Sequence, residues 1–185
     1  FSNIDLLEKY HYIGFRHLLT KGNIMDFDLL FEEFPKRIIP YDYDAYAKNS
    51  GRYEMVATNC TTGCAEYFEE KSDPERIIDI VRASSSLPFV TPISYVDGRP
   101  MLDGGIADSI PVVRATEQGF DNCLVVLTRN AGYRKSAKPS FVPWFAYRRY
   151  PMLQEAIRHR NAEYNKQMEL VERLESEGRI TVIRP

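Results

Sequence analysis

The residues best suited to chemistry are Asp103, Gly104 and Gly105. Met101 and Leu102 read as the end of a short strand that the two glycines break. A carboxylate there sits at a sheet edge, where ligands bind in open α/β sheets. Glycine tolerates positive φ and adds no bulk, so the backbone can turn sharply and another group can approach the acid closely. The plainer alternative is an ordinary turn whose Asp bonds to nearby backbone. The serine cluster Ser84-Ser85-Ser86 is a poor nucleophile candidate. An exposed nucleophilic serine needs small residues on both sides in a strained strand-to-helix turn, whereas these serines end a helix ahead of Leu87-Pro88. Small residues here let the helix end pack close to the Asp103 backbone. Cys60 and Cys64 lack a second cysteine pair, and His11, His17 and His159 stand far from them, so no metal site is expected. No phosphate loop and no G-x-G-x-x-G is present, which leaves a nucleotide site without support.

The flanks of Asp103 carry more information than the acid alone. Ala83-Ser84-Ser85-Ser86-Leu87-Pro88 precedes it, a Tyr95 to Pro100 hairpin with Asp97-Gly98 at its tip leads in, and Ser109-Ile110-Pro111-Val112 follows. This order resembles the patatin-like phospholipases, which carry A-S-x-x-x-P, a hairpin, D-G-G or D-G-A, and then a polar residue, an apolar residue and Pro. The resemblance implies a serine acyl hydrolase with a Ser–Asp dyad, in which Asp103 is the base and Gly104 and Gly105 support the active-site backbone. It implies lipid or small-ester substrates and no cofactor. The family's G-x-S-x-G is absent from these 185 residues, as is its Gly-rich oxyanion segment. The expectation is therefore that residues 1–185 form a single α/β domain, the C-terminal part of a patatin-like hydrolase domain. The nucleophilic serine would then lie on a missing upstream segment, and the chain alone would be inactive. The relatives' Asn near this point is replaced by Asp108 or Ser109. An inward Asp108 would raise the basicity of Asp103; an outward one would cap the next helix. The competing reading is a non-catalytic α/β scaffold or partner-binding protein.

Several elements must position that acid. Residues 1–22 and Met25 to Phe34 show helical spacing, the second ending at Pro35. Its stripe of Phe27, Leu30, Phe31 and Phe34 reads as core or as the wall of a lipid pocket. Asp42 caps a short helix to Lys48. Tyr53 to Cys60 and Ala65 to Glu69 read as a strand pair around Thr61-Thr62-Gly63. Asp73 and Pro74 open a helix over Glu75 to Ala83 whose Ile77, Ile78, Ile80 and Val81 face the core. A helix over Pro111 to Gln118 follows the acid, then a near-continuous apolar strand, Asn122 to Thr128, of the kind buried on both faces. Arg129 to Pro143 reads as a mobile surface loop. Pro151 starts a helix to Glu177 that buries Leu153, Ile157, Tyr164, Met168, Val171 and Leu174, and Arg179 to Pro185 is a last strand. The alternation predicts an α/β fold, a mainly parallel central sheet with helices on both faces.

Composition sets the outer bounds. With 44% hydrophobic and 27% charged residues the chain has ordinary globular usage, and a net charge of −2 gives no electrostatic case for nucleic acid. Three cysteines without framework spacing suit a reducing, cytoplasmic compartment. A sheet lacking its upstream strands would expose an edge that pairs with another chain, so a homodimer is expected. Trp144, Phe145, Arg148 and Arg149 stand together in Phe141 to Tyr150, after a loop holding Arg134, Lys135 and Lys138. These residues read either as a peripheral membrane contact or as aromatics that anchor the long helix on the core.

Overall fold

The computed structural model describes residues 26–120 and 122–185, so the helix expected over residues 1–22 lies outside the described residues. The described residues divide into two compact units, 26–60 with 66–103, and 61–65 with 104–120 and 122–185.

In the first unit, α1 (Leu29–Ile38) runs through Pro35 rather than stopping before it. Its turns are π-wound, and it closes with Ile39 N–H donating to the Phe34 carbonyl at 2.8 Å. α2 (Tyr43–Lys48) is capped as expected, Asp42 accepting from Ala45 N–H at 2.8 Å. β1 (Glu54–Asn59), β2 (Ala65–Glu69), β3 (Ser94–Val96) and β4 (Arg99–Asp103) make one sheet in the order β2-β1-β4-β3. β4 lies antiparallel to both β1 and β3. The turn between β3 and β4 explains that direction. Asp97 and Gly98 both have positive φ, 51° and 73°, the type I′ geometry of a two-residue hairpin. α3 (Pro74–Ser84) has Pro74 at its start, and Asp73 accepts from Glu75 and Arg76 N–H. It lies across β3, β1 and β4 and buries Ile77, Ile78, Ile80 and Ala83. Met55, Ala57, Phe68, Val96 and Met101 complete this core.

In the second unit, Gly104–Ile106 form a 3-10 turn, followed by α4 (Val112–Glu117), β5 (Cys123–Val126), α5 (Pro151–Ser176) and β6 (Ile180–Ile183). β5 and β6 pair in parallel, because the long α5 crossover carries the chain back to the same end. The stripe on α5 buries Leu153, Ile157, Tyr164, Met168, Val171 and Leu174, the six positions read from its spacing.

Three expectations need correction. The sheet expected to be mainly parallel is represented among the described residues by four antiparallel-paired strands and one parallel pair; in the first unit short turns link β1 to β2 and β3 to β4, and α3 carries the chain from β2 to β3. β5 is not buried on both faces: Leu124 is 61% and Val126 68% exposed, and only alternate residues turn inward. The segment 129–143 is irregular but fastened to α5. Lys135 N–H donates to Asn165 Oδ1 at 2.9 Å, Asn165 Nδ2 returns a bond to the Lys135 carbonyl at 3.0 Å, and Arg134 pairs with Glu172 through both nitrogens.

Candidate functional site

Asp103 is the last residue of β4 and stands opposite Ala57 of β1. Its backbone is held from two sides. Its N–H donates to the Ser86 carbonyl at 2.8 Å, and its own carbonyl accepts from Thr58 Oγ1 at 2.8 Å. Thr58 and Ser86 are both fully buried. Ser86 is itself fixed: its hydroxyl donates to the Arg82 carbonyl at 2.8 Å and lies 2.7 Å from Ser94 Oγ. The end of α3 and the middle of β1 therefore set where the Asp103 backbone sits, and the side chain leaves it half-buried. This is the close helix approach that small residues at 84–86 permit. A buried Ser86 engaged in these bonds is a support rather than a nucleophile.

Arg76 steadies the same sheet from α3. Its Nε and Nη2 each reach Asp97 at 3.0 Å, and its Nη1 reaches Glu70 at 2.7 Å. This guanidinium holds the Asp97 carboxyl below the usual range. Glu70 is held down to about 2, first by the Ser72 N–H and hydroxyl and then by Arg76.

Gly104 and Gly105 adopt the right-handed 3-10 backbone, not the positive φ that the sequence suggested. What glycine contributes here is small size, since Gly104 is buried. The Gly104 carbonyl accepts from Asp108 N–H at 2.8 Å, and the Gly105 carbonyl from Ser109 Oγ at 2.8 Å. Asp108 does not cap α4, whose first turn follows Pro111 without a side-chain cap. Its Oδ1 instead accepts from Gln167 Nε2 at 2.8 Å, while Gln167 Oε1 accepts from Ile110 N–H at 3.0 Å. One glutamine of α5 thus pins the segment after the glycines. Sequence reasoning missed Thr58 and Gln167, because neither stands in a motif and each partner is 45 or more positions away.

The first unit also holds a cavity of about 590 Å³. Leu30, Phe31, Ile77, Ile78 and Val81 supply apolar wall, and Tyr41, Tyr43, Tyr46 and Tyr53 supply rings. The apolar stripe read over Met25 to Phe34 thus divides: Phe27, ahead of α1, is buried, while Leu30 and Phe31 face the cavity. Among the described residues no three His, Cys, Asp or Glu side chains are grouped to hold a metal. Cys60 is fully buried, and burial pushes its thiol up to about 12. Trp144 and Phe145 do not anchor α5 on the core, being 75% and 64% exposed. Arg148 lies 5.3 Å over the Trp144 ring, and Arg149 is exposed beside it.

A model of the patatin-like phospholipases matches residues 3–116, which include Asp103, Gly104 and Gly105. The chain belongs to the patatin-like phospholipase family. A second model, a domain of unknown function (DUF6363), matches residues 150–185, the span of α5 and β6. The chain is also 28% identical over 170 residues to YjjU, an uncharacterised protein of Escherichia coli (strain K12). That match covers 89% of this chain and 47% of the relative, so the chain spans about half the length of the curated relative it matches. Among the described residues no helix is long and apolar enough to cross a membrane.

Proposed function

We propose that this chain is part of a serine acyl hydrolase acting on lipid or carboxyl esters, with Asp103 as the base of a Ser–Asp pair. The observation that carries the reading is the acid of the D-G-G motif within the family match, at the end of a strand whose backbone two buried residues hold. The nucleophilic serine belongs to a segment outside these residues, since they contain no G-x-S-x-G. Asp103 takes the serine proton as the hydroxyl oxygen bonds to the ester carbonyl carbon. Collapse breaks the bond to the leaving alcohol, which receives that proton. Water then attacks the acyl-enzyme, its proton passing by way of Asp103 to the serine oxygen as the free acid leaves. A carboxylate is a weak base at its ordinary pKa near 3.9, so alignment and desolvation must supply the basicity. Gly104 and Gly105 supply the unencumbered backbone that follows the base. The free cysteines support a cytoplasmic setting.

The test is Asp103→Asn in the complete protein, which keeps shape and removes the base. The kcat for a p-nitrophenyl ester should fall by about two orders of magnitude, while the isolated 185 residues give no turnover above background. Near-normal turnover in Asp103→Asn with loss in Asp108→Asn would move the base to the other carboxylate. A complete protein with no serine-directed phosphonate labelling and no turnover would favour the scaffold reading.

A further inference from the structure

We propose that the segment from Phe141 to Tyr150 is a docking edge for anionic lipid bilayers. The inference rests on this surface alone, not on the role of Asp103, so binding can be read apart from turnover. Three observations carry it. First, large apolar side chains along one short stretch are left uncovered: Phe141 is 83%, Trp144 75%, Phe145 64% and Met152 53% exposed, with the Trp144 and Phe145 rings 5.9 Å apart. Burying such rings in water-excluded surroundings is favourable, and a cluster of them on one edge marks an interaction site.

Second, the display is held in place. Ser140 N–H donates to the Arg158 carbonyl at 3.0 Å, Ala146 N–H to the Pro143 carbonyl at 3.0 Å, and Tyr150 N–H to the Tyr147 carbonyl at 2.8 Å. Gln154 Nε2 donates to the Ala146 carbonyl at 2.6 Å. Val142 and Leu153 are the residues that turn inward and anchor the edge. The backbone is therefore tied to α5 while the large rings point to water, and a surface that pre-ordered loses little freedom on docking.

Third, the charge fits one kind of partner. Residues 122–154 contain no Asp or Glu and six Lys or Arg, in a chain whose net charge is −2. Among the described residues neither Arg148 nor Arg149 is paired with a carboxylate, and Arg148 sits over the Trp144 ring at 5.3 Å. Indole and phenyl bodies at the headgroup boundary, with guanidinium groups beside them, match the layered chemistry of an anionic bilayer surface. A second copy of this chain is the competing occupant, and its net charge of only −2 is small beside the dense negative charge of an anionic bilayer surface.

Trp144 is the only tryptophan, so its emission reports this edge alone. The purified chain is mixed with vesicles of phosphatidylcholine carrying about one-third phosphatidylserine. Emission should shift to the blue, acrylamide should quench it less, and the protein should sediment with the vesicles. Removing both charges with Arg148→Ala and Arg149→Ala should lower the partition coefficient by about 25-fold, roughly fivefold for each charge near the surface. Trp144→Ala with Arg148→Ala should weaken vesicle sedimentation and leave the melting temperature nearly unchanged, because both side chains are exposed. Unshifted Trp144 emission on these vesicles would overturn the proposal, as would wild-type binding by the arginine variants. A loss of several degrees in the melting temperature without loss of binding would return the aromatics to a structural role. A blue shift on concentrating lipid-free protein, accompanied by dimer in sedimentation, would assign the edge to a second copy instead.

Discussion

Thr58 offers a direct way to ask whether the placement of Asp103 matters. Its hydroxyl donates to the Asp103 carbonyl at 2.8 Å from a fully buried site. Thr58→Val keeps the shape and deletes the donor, leaving that carbonyl without it. Loss of such a bond costs about 1–2 kcal/mol, which for a chain of this length lowers the melting temperature by about 2–8 °C. Thr58→Ser keeps the donor and deletes a buried methyl, a loss of about 1 kcal/mol. The two variants are thus matched in stability and differ in whether the Asp103 backbone is still tied to β1. Melting of the purified chain reads the first quantity. The second is kcat in the complete protein, where Val should cost about tenfold to a hundredfold, on the scale of a small misplacement of a reacting group, and Ser should stay close to wild type. If Val and Ser lower kcat equally, or if Val leaves the melting temperature unchanged, Thr58 does not position the acid.

Two other outcomes follow from local geometry. Gly63 has φ +72°, and a Cβ there would lie 2.6 Å from the Met152 carbonyl oxygen, whereas Gly119 at φ +85° meets nothing within 4 Å. Gly119→Ala should cost only the left-handed strain, about 1–2 kcal/mol, and Gly63→Ala about 1–3 kcal/mol more for the displaced backbone; equal losses in chemical denaturation would remove the packing argument. Glu70 is held down to about 2 by the Ser72 N–H and hydroxyl and by Arg76. Its contribution is therefore complete above its ordinary range near 4.5 and is lost as the pH falls toward 2. Stability of Glu70→Gln should fall less steeply than wild type across that window, and parallel curves would refute the assignment.

Much of this protein is written in short-range patterns. The Asp42 and Asp73 caps, the Asp97-Gly98 hairpin and the buried stripe of α5 each depend on residues within a turn or two of one another. Propensity and periodicity therefore reach them. The motif around Asp103 was legible for the same reason, as an ordered run of small, acidic and proline positions within one stretch. Strand direction in the first unit was less legible, because period-2 patterning does not distinguish a tight turn from a crossover until the turn closes.

The tertiary structure alone decided what holds the acid and what is left uncovered. Thr58 reaches Asp103 across 45 positions, and Gln167 reaches Asp108 across 59. Such bonds leave no local signature, because a buried hydroxyl or amide is chosen by the partner that folding brings to it. An apolar residue reads the same whether it faces a core or water. Leu124, Val126 and Trp144 are hydrophobic by composition, yet all three are exposed. Their exposure follows from which neighbours the fold places over them, a property of the packed chain that no residue type encodes.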